Sequence, residues 1–259
     1  MTTKSIVFFD IDGTLLDHDK KLPDTTKKAV LDLKTQGHIV AIATGRAPFM
    51  FENIRKELGI DTYVSYNGQY VVSQNKEVYT NPINKKSMEE LTKMAVQNNH
   101  PLVYMNEHMM KSNIKYHAHV DKSLSDLKFS HPEYDPEFFK GRDLYQSLIF
   151  CTAGEEKPYE EYFNDITFIR WHELSMDVIP TGGSKAKGIQ EVIDDLGIPL
   201  ENVYAFGDGL NDIEMLKTVP NSIAMGNGFP EVKNAAQYVT KPVDQDGILH
   251  GLKMVELVK

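Results

Sequence analysis

Two aspartates one residue apart follow a short apolar run near the start of the chain. They are Asp10 and Asp12, in the stretch FFDIDGTLLD at residues 8–17. Carboxylates this close repel each other and resist removal from water, so a positive group has to compensate for them. A carboxylate held in this way can act as a nucleophile or carry a proton. The pair therefore predicts either a reactive site or a metal site.

Two further polar clusters follow other apolar runs. Thr44, Gly45 and Arg46 end the stretch IATGR, and Asp208, Asn211 and Asp212 lie in GDGLND. Ligands of open α/β sheets bind beyond the carboxyl ends of the strands, so these clusters are expected to converge in one crevice. Four carboxylates at two of these three strand ends favour Mg²⁺, which takes oxygen ligands and is commonly completed by a substrate phosphate.

Three other groups suit a phosphate in the same crevice. The hydroxyl of Thr44 and the unobstructed backbone N–H of Gly45 can bind phosphate oxygens. Lys185 lies in TGGSKAKGI, where Ser184 is a predicted N-cap, so a cation occupies a first helical turn whose dipole disfavours it. We interpret Lys185 as the lysine that offsets the carboxylate and phosphate charge, with Lys187 as the alternative.

Other motifs are weaker. The stretch after Asp10 is not a calcium loop, because Leu15 replaces the required glycine and Lys21 the required glutamate. GDGLND is a poor dinucleotide fingerprint because Asp212 stands where the third glycine belongs, and the chain has no P-loop motif. His117 and His119 lack a third zinc ligand at suitable spacing, and Cys151 follows an apolar run typical of a buried strand.

The elements that must position these residues are read from the hydrophobic pattern. Apolar runs predict strands at Ser5–Phe9, Ile39–Ala43, Tyr63–Ser65, Val203–Phe206 and Ser222–Met225, and amphipathic patterns predict helices at Thr25–Gln36, Pro48–Leu58, Lys185–Leu196 and Asn211–Lys217. Continuous apolar strands indicate parallel pairing with both faces covered. The prediction is a Rossmann-like, doubly wound, mostly parallel α/β core formed by residues 1–82 and 181–259. Residues 83–180, with alternating strands at Leu102–Met105 and Phe168–Trp171, are expected to form an inserted α+β domain.

Composition limits the possible partners. The chain has 259 residues with 28 Lys and Arg against 37 Asp and Glu, and a net charge of −9. This charge disfavours nonspecific binding to nucleic acid or to anionic membranes. Cys151 is the only cysteine, and the apolar run before Asp10 is too short for a signal peptide or a membrane span. We therefore expect a cytoplasmic protein; its oligomeric state stays open.

Four motifs together resemble a known family. FFDIDGTLLD, IATGR, GGSK and GDGLNDIEML follow the order and approximate spacing of the motifs of the haloacid dehalogenase-like hydrolase superfamily. The inserted segment is similar to the large cap of its Cof-type sugar-phosphatase branch. The sequence differs from the family pattern in one place. A glycine often follows the lysine of the third motif, but Lys185 is followed here by Ala186. The distance to the helix end at Gly197 still favours Lys185 over Lys187.

The resemblance implies a phosphatase mechanism. Asp10 would attack phosphorus to give an aspartyl-phosphate, and Asp12 would protonate the leaving alcohol and then activate water. Mg²⁺ would be held by Asp10, the backbone carbonyl of Asp12 and Asp208, with Asp212 close behind. The phosphate would be bound by the following groups: Thr44, Gly45, Lys185, Asn211 and the backbone N–H of Ile11.

The leading hypothesis is therefore a Mg²⁺-dependent phosphatase acting on a small phosphorylated metabolite, with the inserted domain excluding water. A phosphomutase and a phospho-acceptor signalling module are the alternatives. Asp12 and an insertion of roughly 100 residues argue against the signalling module, which needs neither. The sequence does not name the substrate; Lys111, Lys115 and Arg142 are candidates for contacting it.

Overall fold

The computed structural model describes residues 4–258, which divide into two compact units. The first unit comprises residues 4–46, 50–80 and 183–258 of this range. The second comprises Ala47–Phe49 and Asn81–Gly182. Within residues 4–258, no helix is long and apolar enough to cross a membrane.

The strands are numbered in chain order across both units. They are β1 Ile6–Phe9, β2 Ile39–Ala43, β3 Thr62–Ser65, β4 Tyr70–Ser73, β5 Lys76–Thr80, β6 Leu102–Met105, β7 Met110–Ser112, β8 Gln146–Ile149, β9 Ile166–His172, β10 Ser175–Pro180, β11 Val203–Gly207, β12 Asn221–Ala224 and β13 Tyr238–Val239. The helices are α1 Asp24–Thr35, α2 Glu52–Leu58, α3 Lys85–Gln97, α4 Ala118–Asp126, α5 Lys157–Tyr162, α6 Lys185–Leu196, α7 Ile213–Thr218, α8 Pro230–Ala235 and α9 Gly247–Met254.

The first unit is built on one large sheet with the order β13-β12-β11-β1-β2-β3-β4-β5. The strands from β13 to β3 are parallel, and β4 and β5 are antiparallel to their neighbours. The chain winds outward in one direction from β1 through β2 and in the other from β11 through β12. The boundary between β1 and β11 is thus the switch point of a doubly wound sheet, where such folds bind ligands. The prediction of a mostly parallel, Rossmann-like α/β fold is confirmed.

The core of this unit explains why β1 is continuously apolar. All four of its residues are buried, because helices cover both faces of the sheet. Ile6 and Phe8 pack in a cluster with residues of α6 and α7. On α9, a Cβ at Gly251 would lie 2.6 Å from the ring of Phe206, so glycine allows this helix to approach the sheet closely.

Two predicted helices differ in their boundaries. The predicted helix Pro48–Leu58 is instead a 3₁₀ turn at Pro48–Met50 followed by α2, because Phe51 leaves the helical region (φ −127°, ψ 16°) and buries its ring edge-on against Tyr63. The predicted helix Asn211–Lys217 begins with a 3₁₀ turn at Leu210–Asp212 before α7.

The second unit contains a five-stranded antiparallel sheet with the order β7-β6-β8-β10-β9. Its apolar core joins Met88 and Leu91 of α3 to Tyr104 of β6 and Val178 of β10. Asp177, between two residues of that core along β10, is half-buried. This unit is therefore an α+β arrangement with its own core.

Candidate active site

The carboxyl end of β1 turns sharply beside that of β11. The backbone N–H of Asp10 donates to the carbonyl of Phe206 at 3.0 Å, which continues the parallel pairing. Gly13 has φ +79°, and a Cβ there would lie 2.1 Å from Oδ2 of Asp208. Only glycine allows both the turn and this approach. Thr14 Oγ1 then donates to Asp208 Oδ1 at 2.9 Å, which ties the two strand ends together.

A buried lysine bridges two of the predicted carboxylates. Lys185 Nζ lies 2.6 Å from Asp10 Oδ1 and 2.6 Å from Asp212 Oδ1, and its side chain is fully buried. Ser184 caps α6 by accepting from the N–H of Lys187 at 3.2 Å, which sets Lys185 at the first turn. The Lys187 ammonium instead lies 4.8 Å from the ring centroid of Tyr79. The structure therefore brings Lys185, and not Lys187, to the carboxylates.

The carboxylate of Asp212 stabilises the loop that carries Asp208. Its Oδ2 accepts from the backbone N–H of Asp208 at 3.0 Å and of Gly209 at 2.9 Å, while its Oδ1 contacts Lys185. Both oxygens are thus engaged by protein donors. These bonds also explain the 3₁₀ turn before α7, because the Asp212 carboxylate satisfies N–H groups that a regular helix start would leave unpaired.

Negative charge is concentrated at this point. Asp10, Asp208 and Asp212 each place a carboxylate oxygen within 4.8 Å of the others, and they are the one such group of three possible metal ligands in residues 4–258. Burial raises the pKa of Asp10 to about 7, with Lys185 opposing and Asp212 and Asp208 reinforcing the rise. Burial also raises the pKa of Asp208 to about 6. A cation beside these oxygens would relieve the cost of ionising them.

Asp12 has different surroundings. Arg46 donates to both of its oxygens, from Nε to Oδ2 at 2.7 Å and from Nη2 to Oδ1 at 2.6 Å, and Lys20 Nζ lies 2.5 Å from Oδ1. Burial would raise the pKa of Asp12, but the hydrogen bonds and charges of Arg46 and Lys20 outweigh it and lower the pKa. Asp12 is consequently held as an ionised carboxylate.

The predicted phosphate-binding groups lie at neighbouring strand ends. Thr44 is buried, and its N–H continues the pairing of β2 with β3 by donating to Val64 at 2.8 Å. The backbone N–H groups of Ile11 and Gly45 donate no hydrogen bond to the residues that the structure describes. Asn211 Nδ2 donates to Asn67 Oδ1 at 3.0 Å. The region therefore has unused backbone donors suited to an anion.

Sequence reasoning placed Arg46 at the end of β2 without a role, and it missed several other residues of this site. Arg46 and Lys20 grip Asp12, Asn67 contacts Asn211, and Asn227 Nδ2 donates to the carbonyl of Gly13 at 2.8 Å and to Asp208 Oδ2 at 3.1 Å. Asn227 and Asn67 both follow a strand of the sheet, so their positions after β12 and β3 were a usable signal. Nothing in the spacing of Lys20 pointed to Asp12.

The other residues noted in the sequence have structural surroundings. His117 Nδ1 caps α4 by accepting from the N–H of His119 at 3.2 Å. Cys151 is buried, and burial raises the pKa of its thiol. The three candidate substrate contacts are engaged within the second unit: Lys111 pairs with Glu133, Lys115 lies over Tyr134 and Arg142 lies over Phe138.

Comparisons with known proteins agree with this geometry. A family model described as haloacid dehalogenase-like hydrolase matches residues 7–252. The chain is 48% identical over 254 residues to YkrA of Bacillus subtilis strain 168, covering 98% of each protein. A crystal structure from Geobacillus kaustophilus HTA426 shares 53% identity and a TM-score of 0.97, covering 99% of this chain and 100% of that one. The structure of the subclass IIB sugar phosphatase BT4131 shares 31% identity and a TM-score of 0.83, with coverage of 99% and 100%.

Proposed function

The chain belongs to the haloacid dehalogenase-like hydrolase family and is a phosphatase, and we propose that it is Mg²⁺-dependent and hydrolyses a small phosphomonoester, such as a sugar phosphate, through an aspartyl-phosphate. The observation that carries this proposal is the placement of Lys185 between Asp10 and Asp212, beside Asp208. One cation cannot neutralise three carboxylates, so the site is built to receive a further positive charge.

The donor set fits Mg²⁺. Asp10 and Asp208 offer hard oxygen ligands, and burial opposes the ionisation of both. Asp212 supports this set from behind, since protein donors engage both of its oxygens. When bound, Mg²⁺ would neutralise charge on the carboxylates and on the phosphate oxygens.

The proposed reaction uses the chain's own residues in two steps. A carboxylate oxygen of Asp10 attacks phosphorus while the bond to the leaving oxygen breaks, and Asp12 in its protonated form gives its proton to that oxygen. In the second step Asp12 takes a proton from water, which attacks phosphorus and releases inorganic phosphate and the Asp10 carboxylate. The ionised state in which Arg46 and Lys20 hold Asp12 is the state that the second step requires. The proton that Asp12 takes from water in that step is the one that it gives to the leaving oxygen in the next turnover.

Phosphate binding is assigned to groups from three loops and from the first turn of α6. The N–H groups of Ile11 and Gly45, the hydroxyl of Thr44 and the ammonium of Lys185 would hold the phosphate oxygens, together with Asn211. Support comes from the unused backbone donors and from the buried position of Lys185. Positioning and charge neutralisation of this kind account for most catalysis of phosphoryl transfer.

We further propose that residues 83–180 form a cap domain that selects the substrate. Residues 1–82 and 181–259 together would form the core domain. The separate apolar core of the second unit supports this assignment. The unpaired, buried thiol of Cys151 suits the reducing cytoplasm, where small phosphorylated metabolites are found.

The test is a screen of phosphorylated sugars, nucleotides and cofactors for release of inorganic phosphate, with Mg²⁺ and with excess chelator. We expect release from one or more esters, loss of activity with chelator and recovery with Mg²⁺. Full activity in excess chelator would contradict the metal proposal. Formation of an isomeric phosphate ester without free phosphate would identify a phosphomutase instead.

A further inference from the structure

A short loop directly after β3 has an unusual backbone. Tyr66 and Asn67 both have φ +51°, and Gly68 follows with φ +95°. The left-handed region is uncommon for residues other than glycine and is a clear outlier for a bulky side chain such as tyrosine. Strain of this kind persists only where the surroundings enforce it, and it concentrates at functional sites. The strain of this loop therefore indicates a functional role for its residues.

Backbone contacts tie this loop to two other parts of the site. The N–H of Tyr66 donates to the carbonyl of Arg46 at 3.2 Å, and the N–H of Asn67 donates to the carbonyl of Thr44 at 3.0 Å. A Cβ at Gly68 would lie 2.0 Å from the carbonyl oxygen of Ser184, next to Lys185. The strained conformation thus holds Asn67 at a fixed place between the loop after β2 and the start of α6.

The Asn67 side chain lies between two of the predicted phosphate-binding residues. Its Oδ1 accepts from Asn211 Nδ2 at 3.0 Å, and its Nδ2 lies 3.0 Å from the place that a Cβ on Gly45 would occupy. Because Oδ1 is already engaged, Nδ2 is the free end of the amide. Nδ2 donates to no group among residues 4–258, and neither does the neighbouring N–H of Gly45.

We propose that Asn67 is a further phosphate-binding residue, whose Nδ2 donates to the phosphate of the substrate while its Oδ1 orients the amide of Asn211. The ligand is the phosphate group of a phosphomonoester, or inorganic phosphate as the product. This inference rests on the proposed function. It adds a donor from the end of β3 to those from the loops after β1, β2 and β11.

Two substitutions separate direct contact from indirect support. Asn67→Asp keeps an acceptor for Asn211 and tolerates the left-handed backbone, but it replaces the free donor with a negative charge. Asn67→Gly removes the whole side chain and adopts φ +51° without strain, so the fold is preserved. Steady-state kinetics on one phosphomonoester and inhibition by inorganic phosphate are measured for both variants.

We expect both variants to lose kcat/KM and to weaken inhibition by phosphate by roughly ten- to hundredfold, as for removal of a hydrogen bond to a charged group. Asn67→Asp should be the more impaired, because its carboxylate repels the phosphate. The matched controls are Asn75→Asp and Asn75→Gly, since Asn75 also has a left-handed backbone, with φ +62°, in the turn between β4 and β5. Both controls should behave as wild type.

Three outcomes would overturn the inference. If Asn67→Asp matches wild type while Asn67→Gly is impaired, Asn67 acts only by orienting Asn211. If both Asn67 variants match their Asn75 counterparts, the side chain has no role in binding. If wild-type protein releases phosphate from no ester, the proposed function fails, and this inference falls with it.

Discussion

At the scale of residues, Asp10 and Asp12 are one residue apart but lie in opposite electrostatic surroundings. Burial raises the pKa of Asp10 to about 7, whereas Arg46 and Lys20 overcome burial and lower that of Asp12. A cation that binds Asp10 would restore its ionised, nucleophilic form. The ionised Asp12 matches its proposed role as the base of the second step, whereas the proposed nucleophile Asp10 needs the cation to be ionised.

The first prediction separates these roles. Asp10→Asn should remove turnover almost completely, because an amide is a poor nucleophile. Asp12→Asn should lose roughly 10²- to 10⁴-fold in rate on an alkyl phosphate, the usual contribution of proton transfer. With an aryl phosphate, whose leaving group needs no proton, Asp12→Asn should accumulate the phosphorylated enzyme. Mass spectrometry should find the phosphoryl group on the peptide that contains Asp10, and a label elsewhere would refute the assignment.

The second prediction concerns Arg46, which donates hydrogen bonds to both carboxylate oxygens of Asp12. Arg46→Lys keeps a positive charge but loses the paired contact, so Asp12 is no longer held in one orientation. We expect kcat/KM on an alkyl phosphate to fall roughly ten- to hundredfold, as for a misplaced catalytic group, with a much smaller loss on an aryl phosphate.

Arg55→Lys is the matched control for Arg46→Lys, since Arg55 stacks on Tyr63 in the same unit. Its kinetics on both esters should equal those of wild type. Equal losses of Arg46→Lys on both esters would show that Arg46 does not act through Asp12.

Sequence reasoning reached only part of this site. Asp10 and Asp208 were predicted to converge because each follows the carboxyl end of a strand, and Lys185 was predicted to join them because a cation would offset their charge. The ion pair between Lys20 and Asp12 depends on a turn in which Lys20 itself has φ +62°. No short-range sequence pattern predicts the direction of that side chain. The same holds for Asn67, whose position is set by contacts with residues distant in the chain.

At the scale of elements, strand positions were easier to predict than helix boundaries. Buried parallel strands are continuous apolar runs, and β1, β2 and β11 followed that pattern closely. Helix starts depend on tertiary contacts. Phe51 leaves the helix to reach Tyr63, and Asp212 uses its carboxylate to satisfy two backbone N–H groups.

The third prediction concerns a carboxylate in the middle of β10. Burial raises the pKa of Asp177 to about 7, and Gln146 Nε2 donates to its Oδ1 at 2.8 Å. Gln146 carries no charge that would favour ionisation, so burial makes the protonated form of Asp177 the more favourable one in the fold. Because the folded pKa lies above the unfolded value, this group stabilises the fold at low pH and loses that contribution as pH rises through about 7.

Asp177→Asn should therefore raise the free energy of unfolding at pH 8 by about 1–3 kcal/mol and change it little at pH 4, where the carboxyl is neutral in the folded state and only about half ionised in the unfolded state. Urea unfolding at the two pH values measures the difference. The exposed Asp32→Asn serves as the control for a general change in net charge. An equal effect of Asp177→Asn at both pH values would rule out this titration as the cause.

At the scale of the whole molecule, a chain with a net charge of −9 concentrates three acids at one point of its larger sheet. The pairing of Phe9 with Phe206 joins segments about 200 residues apart, and this single register brings Asp10 beside Asp208. The cluster of three acids is thus a consequence of the sheet topology. The stability of the molecule should therefore depend on the cations or protons that neutralise these carboxylates.

The last prediction is that Mg²⁺ stabilises the protein, and does so more at high pH. Without metal, the raised pKa values of Asp10, about 7, and Asp208, about 6, mean that the folded state binds protons more tightly than the unfolded state. Its stability then falls as pH rises from about 4 through 7, when these protons are lost. Mg²⁺ binds the ionised carboxylates and offsets that loss.

At a Mg²⁺ concentration of 100 times its dissociation constant, the gain should be about 2.7 kcal/mol, which corresponds to several degrees in Tm. Thermal unfolding with and without Mg²⁺ at pH 5.5 and pH 8, at ionic strength matched with NaCl, separates specific binding from screening of the net charge. Asp208→Asn should abolish the difference while Asp32→Asn retains it. A gain that NaCl reproduces, or that survives in Asp208→Asn, would mean that Mg²⁺ acts on the overall charge and not at this site.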